Sequence, residues 1–176
     1  MTAEEIARYN EALLRVPGEA AKLRDLMRLR TGDVRWGVSV RRTSLRAQPT
    51  AVPCPARVGD RYDDALQRTA VLPNEPMALL GESADGRFCR AETSYYAGWA
   101  PAEDIGLCED LDAWRAAQED GFLRVTGSRV TLCCDPYEPR VSGAVLPMGT
   151  RLPLAAPPGT VRALRGRVSY DSYLVR

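Results

Sequence analysis

The stretch Met77-Ala78-Leu79-Leu80-Gly81-Glu82-Ser83-Ala84-Asp85-Gly86-Arg87-Phe88-Cys89-Arg90 decides the fold class of this chain. Two short runs rich in apolar residues, 77–80 and 88–90, flank a polar loop holding Asp85-Gly86, a pair suited to the positive φ of a tight turn. The segment predicts a β-hairpin with a slightly long loop. Downstream, Tyr95-Tyr96-Ala97-Gly98-Trp99-Ala100 reads as another strand and Pro101-Ala102-Glu103-Asp104-Ile105 as a single turn. Upstream, Val34, Trp36, Val38 and Val40 alternate with polar or small residues, the period of a half-buried strand. Strands this short, joined by turn-rich loops, predict a small barrel.

Further out, the period changes. Residues 2–15 predict a helix: Thr2 and Glu5 have the form of a capping box, and Ile6, Tyr9 and Leu13 share a face. Pro17-Gly18 breaks it, and a second helix over 19–30 ends at Gly32. Two short helices build no core alone, so this hairpin must pack on the strands downstream of it. Residues 62–69 are read as a short helix, and 110–119, carrying Leu111 and Trp114, as another. Beyond Gly121, strands are predicted at 122–125, 130–133, 151–154, 160–164 and from 168 to 175, punctuated by glycines. The expected fold class is mainly β with a few helices: two small β-barrels behind an N-terminal helical hairpin. The expected boundaries are 1–32 for the helical segment, 33–108 for the first barrel, and 109–176 for a linking helix and second barrel.

Composition narrows the function. Over 176 residues, 24 basic and 23 acidic side chains nearly cancel, so no global field draws in nucleic acid or an anionic membrane. Lys22 is the single lysine, an Arg bias consistent with a GC-rich genome. Arg24, Arg28, Arg30, Arg35, Arg41, Arg42 and Arg46 lack interleaved aromatics and read as a solvated or salt-bridged face. No apolar run approaches the ~20 residues of a membrane span. The acidic start, Met1-Thr2-Ala3-Glu4-Glu5, does not resemble a secretory leader, which predicts a cytoplasmic chain as it stands, or the cell envelope if a leader was removed.

Catalysis is not expected of this chain. It has no His, so its five cysteines (Cys54, Cys89, Cys108, Cys133, Cys134) lack the usual partner of a Cys nucleophile and read as buried or half-buried thiols. The acidic pairs Asp63-Asp64, Glu103-Asp104 and Glu109-Asp110 fall in turns or at helix starts, where carboxylates cap amides. Phosphate-binding glycine loops are absent, and no cofactor or metal site is expected. Tyr95, Tyr96 and Trp99 are the one aromatic cluster. On a strand Tyr95 and Tyr96 face opposite ways, one core and one exposed. Trp99 is assigned to the core and Tyr96 to ligand contact.

Four segments together resemble a known family. They are Leu45-Arg46-Ala47-Gln48-Pro49-Thr50, the 79–88 hairpin, Tyr96-Ala97-Gly98-Trp99-Ala100 with Ala102-Glu103-Asp104-Ile105, and Met148-Gly149-Thr150-Arg151-Leu152-Pro153-Leu154. In this order they resemble the N-terminal, non-catalytic region of NlpC-type γ-D-glutamyl-diaminoacid endopeptidases, papain-like cysteine peptidases of bacterial cell-wall peptides. The resemblance implies that both barrels are of the bacterial SH3-like type, with a peptidoglycan-derived peptide as ligand and a papain-like catalytic domain following Tyr173. It also implies that Tyr96 lines the substrate groove. Where the family often has Glu before Thr-Ala, to hold a substrate amine, this chain has Arg68 before Thr69-Ala70. Asp64, on the same face of the expected helix, would either take over the amine or pair with Arg68. The ligand-binding candidates are therefore Tyr96, Arg68, Asp64 and Tyr95. The expected function is substrate gating and targeting for such a peptidase; the alternative is a stand-alone SH3-like adaptor for a protein or peptide.

Overall fold

The computed structural model describes residues 34–55, 60, 62–109, 111–116, 121–134, 139–164, 167–168 and 173–175. The expected helical hairpin over 1–32 lies outside them. What is described is mainly β, with a few short helical turns.

The first half is one antiparallel ladder of seven strands: β1 (Arg35–Ser39), β2 (Thr43–Arg46), β3 (Gln67–Val71), β4 (Pro76–Glu82), β5 (Phe88–Glu92), β6 (Ala97–Pro101) and β7 (Ile105–Leu107). Their spatial order is β3-β2-β6-β5-β4-β1-β7. The expected hairpin is β4–β5, and its loop is built from side chains as well as from Gly86 at φ 70°. The Ser83 hydroxyl donates to Asp85 Oδ1 (2.6 Å) and accepts from the Phe88 amide (3.0 Å), while the Arg87 amide donates to Asp85 Oδ1 (3.1 Å). Burial pushes the Asp85 carboxyl up, but those donors and the Arg87 charge outweigh it and hold it below its ordinary value. The single turn after β6 is a 3-10 turn, Ala102–Asp104.

Alternation along the strands sends Leu45, Val71, Met77, Leu79, Cys89, Ala91 and Ala100 into one buried cluster. Gly98 lies in the same layer, because a Cβ there would stand 2.9 Å from the Arg46 carbonyl oxygen and 3.0 Å from Leu45 Cβ. Trp99 alternates with Gly98 and Ala100, so it points to the opposite face. It is buried as expected, at 3% exposure.

Three expectations are corrected here. The ladder does not close into a barrel: β3 passes through the 72–75 turn directly into β4, leaving β3 and β7 as separate edges. Residues 62–69 do not form a helix. A turn at 65–66 leads into β3, which pairs with β2 through Thr43↔Val71, Ser44↔Ala70 and Leu45↔Thr69. The tertiary pairing, with β-branched Thr69 and Val71 suited to it, overrides the local spacing. Cys133 and Cys134 follow β9 outside any strand and are exposed, whereas Cys54 and Cys89 are buried.

After β7, helix α1 (Leu111–Ala116) returns to the sheet and stacks Trp114 on Trp36, ring centroids 4.6 Å apart. The C-terminal strands form two-stranded ribbons in place of the expected second barrel. They are β8 (Phe122–Arg124) with β11 (Arg151–Pro153), β9 (Arg129–Thr131) with β10 (Val145–Pro147), and β12 (Ala163–Leu164) with β13 (Arg167–Val168). Every residue of β9 is exposed, and in that ribbon the buried side chain is Leu146 of β10. Phe122 is covered by the Arg151 guanidinium at 4.0 Å, and Asn74 Nδ2 donates to the Arg151 carbonyl at 3.0 Å, linking the ribbon to the β3–β4 turn.

Candidate binding site

The β5–β6 turn carries the aromatic candidates, and Thr93 holds it in shape. The Thr93 hydroxyl accepts from the Tyr96 amide (3.0 Å) and donates to the Tyr96 carbonyl (3.0 Å), and the Thr93 amide donates to that carbonyl (2.8 Å). Residues 94–96 therefore bend, and β6 begins only at Ala97. The expectation that one tyrosine is core and the other exposed fails for this reason. Tyr95 and Tyr96 are 50% and 48% exposed, packed edge-to-face with centroids 6.0 Å apart.

The two rings differ in what their hydroxyls do. Burial first, then the negative charge and hydrogen bond of Glu75, push the Tyr95 phenol up to about 12. Tyr95 is thereby tied to the β3–β4 turn. The Tyr96 hydroxyl has no hydrogen bond among the described residues and stands open at the rim.

Arg68 reaches this turn from β3, donating from Nη1 to the Ala97 carbonyl at 3.1 Å. The structure thus brings Arg68, Tyr95 and Tyr96 together around one turn. Asp64 is placed elsewhere. Its Oδ2 accepts from Arg46 Nη1 (2.7 Å), and its Oδ1 accepts the amides of Cys54 (3.1 Å) and Leu66 (3.0 Å). Arg46 also donates to the Val52 carbonyl (2.8 Å), so the pair fastens the 47–66 loop to β2. The Asp64–Arg68 pairing of the helical reading is replaced by Asp64–Arg46, because β3 is a strand.

The other acidic pair with a defined role is Glu103-Asp104. Asp104 is buried and accepts from Arg41 Nε and the Thr43 hydroxyl, pinning the 3-10 turn to the β1–β2 corner. These are the salt-bridged arginines expected of the N-terminal third, joined by Arg35 on Glu82.

One residue of this face was not singled out from sequence. Arg90 on β5 alternates with the core residues Cys89 and Ala91 and pairs directly with Trp99. Its signal was the polar break in an apolar strand, which acquires meaning only through the register with β6.

Among the described residues no group of three or more His, Cys, Asp and Glu side chains could hold a metal ion. No helix among them is long and apolar enough to cross a membrane.

Comparison with known proteins agrees with this architecture. Residues 55–101 match the SH3 domain family of the SH3b1 type. No curated protein sequence matches the chain. Among solved structures it is similar to an NlpC/P60 endopeptidase from Photobacterium damselae subsp. piscicida, with 17% identity and a TM-score of 0.65 over 91% of this chain. The match spans 36% of that endopeptidase's length, so it speaks to fold. Residues 55–101 are thus similar to SH3 domains of the SH3b1 type, and the fold of the chain is similar to part of an NlpC/P60 endopeptidase.

Proposed function

We propose that this chain is the non-catalytic, substrate-gating region of a bacterial cell-wall peptidase, recognising peptidoglycan peptides for a papain-like catalytic domain. In this reading residues 33–108 form the recognition unit and 109–176 a second β unit that braces it. Tyr96 and Arg68 contact the ligand, Tyr95 backs Tyr96, and Asp64 acts through Arg46 by fixing the loop beside them. The mechanism is steric and electrostatic selection at one end of a groove, with no bond made or broken by this chain.

The observation that carries the reading is Tyr96. It is a half-exposed ring on a turn held by Thr93, next to a guanidinium, with its hydroxyl uncommitted. A rigid aromatic with a free polar tip is the side chain that recognition surfaces use as an anchor. The SH3b1-type match and the endopeptidase-like fold supply the cell-wall setting.

The test is a titration of the 176-residue chain with L-Ala-γ-D-Glu-diaminopimelate, followed by amide NMR shifts. The shifts should cluster between Thr93 and Gly98. Tyr96→Ala should weaken binding by about fivefold, the equivalent of ~1 kcal/mol. Shifts scattered elsewhere, or wild-type affinity in Tyr96→Ala, would overturn the reading.

A further inference from the structure

The C-terminal half holds a pair of nucleophilic side chains that the recognition rim does not use. Cys133 and Cys134 are adjacent in sequence, exposed and free. The β9–β10 ladder ends just before them. Its last bonds run from the Leu132 amide to the Ala144 carbonyl (2.9 Å) and from the Gly143 amide to the Leu132 carbonyl (3.1 Å). From Cys133 onward the backbone is off the ladder, so the strand alternation that would send neighbouring side chains to opposite faces no longer applies. The other cysteines differ. Cys54 and Cys89 are buried and Cys108 is half-buried. Burial first, then the Glu82 charge, push the Cys89 thiol up against a smaller pull from Arg35, away from the thiolate that binds metals.

Two neighbouring thiols are poorly placed to bond to each other. Adjacent Cα atoms stand about 3.8 Å apart across a trans peptide. Unstrained disulfides span about 4.4–6.8 Å between Cα atoms, so a direct bond between neighbours is strained. An ion inserted between the sulfurs relieves this, because metal–sulfur bonds of about 2.3 Å let them stand up to about 4.6 Å apart. The donor set then selects the ion. A structural zinc site needs four ligands. Among the described residues no third Cys, His, Asp or Glu joins the pair, and the chain has no His at all. Two thiolates alone suit a soft cation of low coordination number.

We propose that Cys133 and Cys134 form a two-sulfur site for a soft monovalent cation, Cu(I), at the outer end of the β9–β10 ribbon. The site is independent of the recognition reading. On binding, each thiol gives its proton to water and a sulfur lone pair to the ion. No electron is transferred and the copper stays Cu(I). Both bonds come from one chain, so the second closes as an intramolecular step. The stem that carries the pair is held from the other side by the 141–144 turn, where the Ala144 amide donates to the Val141 carbonyl (3.2 Å) and Gly143 sits at φ 73°.

The test is an oxygen-free competition for Cu(I) between the reduced 176-residue chain and a chromophoric Cu(I) chelator. The chain should take up one ion, and its hold should tighten as the pH rises because two protons leave on binding. Closing both bonds on one chain raises affinity by about 10²–10⁴, so Cys133→Ser and Cys134→Ser should each weaken uptake at least about a hundredfold. Cys108→Ser should leave it unchanged. In the native chain iodoacetamide should alkylate both exposed cysteines, and Cu(I) should protect both, a readout that needs no variant to fold. Wild-type affinity in either exposed-cysteine variant, lost uptake in Cys108→Ser, or alkylation of either cysteine in the presence of Cu(I) would overturn the two-sulfur site. One ion shared by two chains would overturn it in favour of a bridge between copies. Zn(II) held more tightly than Cu(I) would overturn the assignment to a soft ion.

Discussion

Asn74 donates from its side-chain amide to the carbonyl of Arg151, at 3.0 Å, across 77 residues of sequence. It does so from the left-handed region, at φ 63°, where Asn is better tolerated than most non-glycine residues. One residue therefore both makes the β3–β4 turn and ties the sheet to the β8–β11 ribbon.

Two substitutions separate these roles. Asn74→Gly keeps the turn and loses the tie, and should lower stability by about 1 kcal/mol. Asn74→Ala loses the tie and also strains the backbone, and should cost about 2 kcal/mol. Urea denaturation of both variants checks the order. Equal losses would mean that the backbone conformation carries no cost here.

The Arg46–Asp64 pair is more enclosed, with side-chain exposures of 9% and 22%. Removing Asp64 leaves a guanidinium buried without its carboxylate, so Asp64→Ala should cost about 3 kcal/mol. Adding Arg46→Met removes the stranded charge and should restore part of that loss. A double variant less stable than Asp64→Ala would show that Arg46 matters for its packing and its bond to Val52 rather than for its charge.

Tyr95 should leave a signature in alkaline titration. Its phenol is raised to about 12, against an ordinary value near 10, so the folded state keeps a proton that the unfolded chain gives up. The contribution to stability is complete below pH ~10 and is lost as the pH rises from there through about 12. Absorbance of the seven tyrosines at alkaline pH should include a late component that vanishes in Tyr95→Phe and moves earlier in Glu75→Gln. An unchanged curve in Tyr95→Phe would contradict the Glu75 contact.

How much was legible in the sequence depends on how local each signal is. The β4–β5 hairpin was readable because Ser83, Asp85 and Gly86 make its loop among themselves. Strand β1 was readable because Val34 to Val40 alternate. The 3-10 turn after β6 was readable from Pro101-Ala102-Glu103. By contrast, β3 was hidden: Asp64 and Arg68 stand four apart, as on a helix, and only pairing with β2 makes the segment a strand. Barrel closure was equally out of reach, since whether β3 meets β7 depends on the whole ladder. At the site, Tyr96 was legible as an aromatic beside a turn. Arg90 was not, because its meaning comes from lying opposite Trp99 on another strand. The link between Tyr95 and Glu75 was hidden in the same way.

The stacked indoles of Trp36 and Trp114, tilted by 45°, give the protein a built-in optical reporter. Chromophores that close couple their excited states, so the pair should contribute a split band to the ultraviolet circular dichroism. That band belongs to neither strand nor helix alone. It exists only while α1 lies against β1, and it would fade with undocking of the helix even if the ladder itself stayed intact.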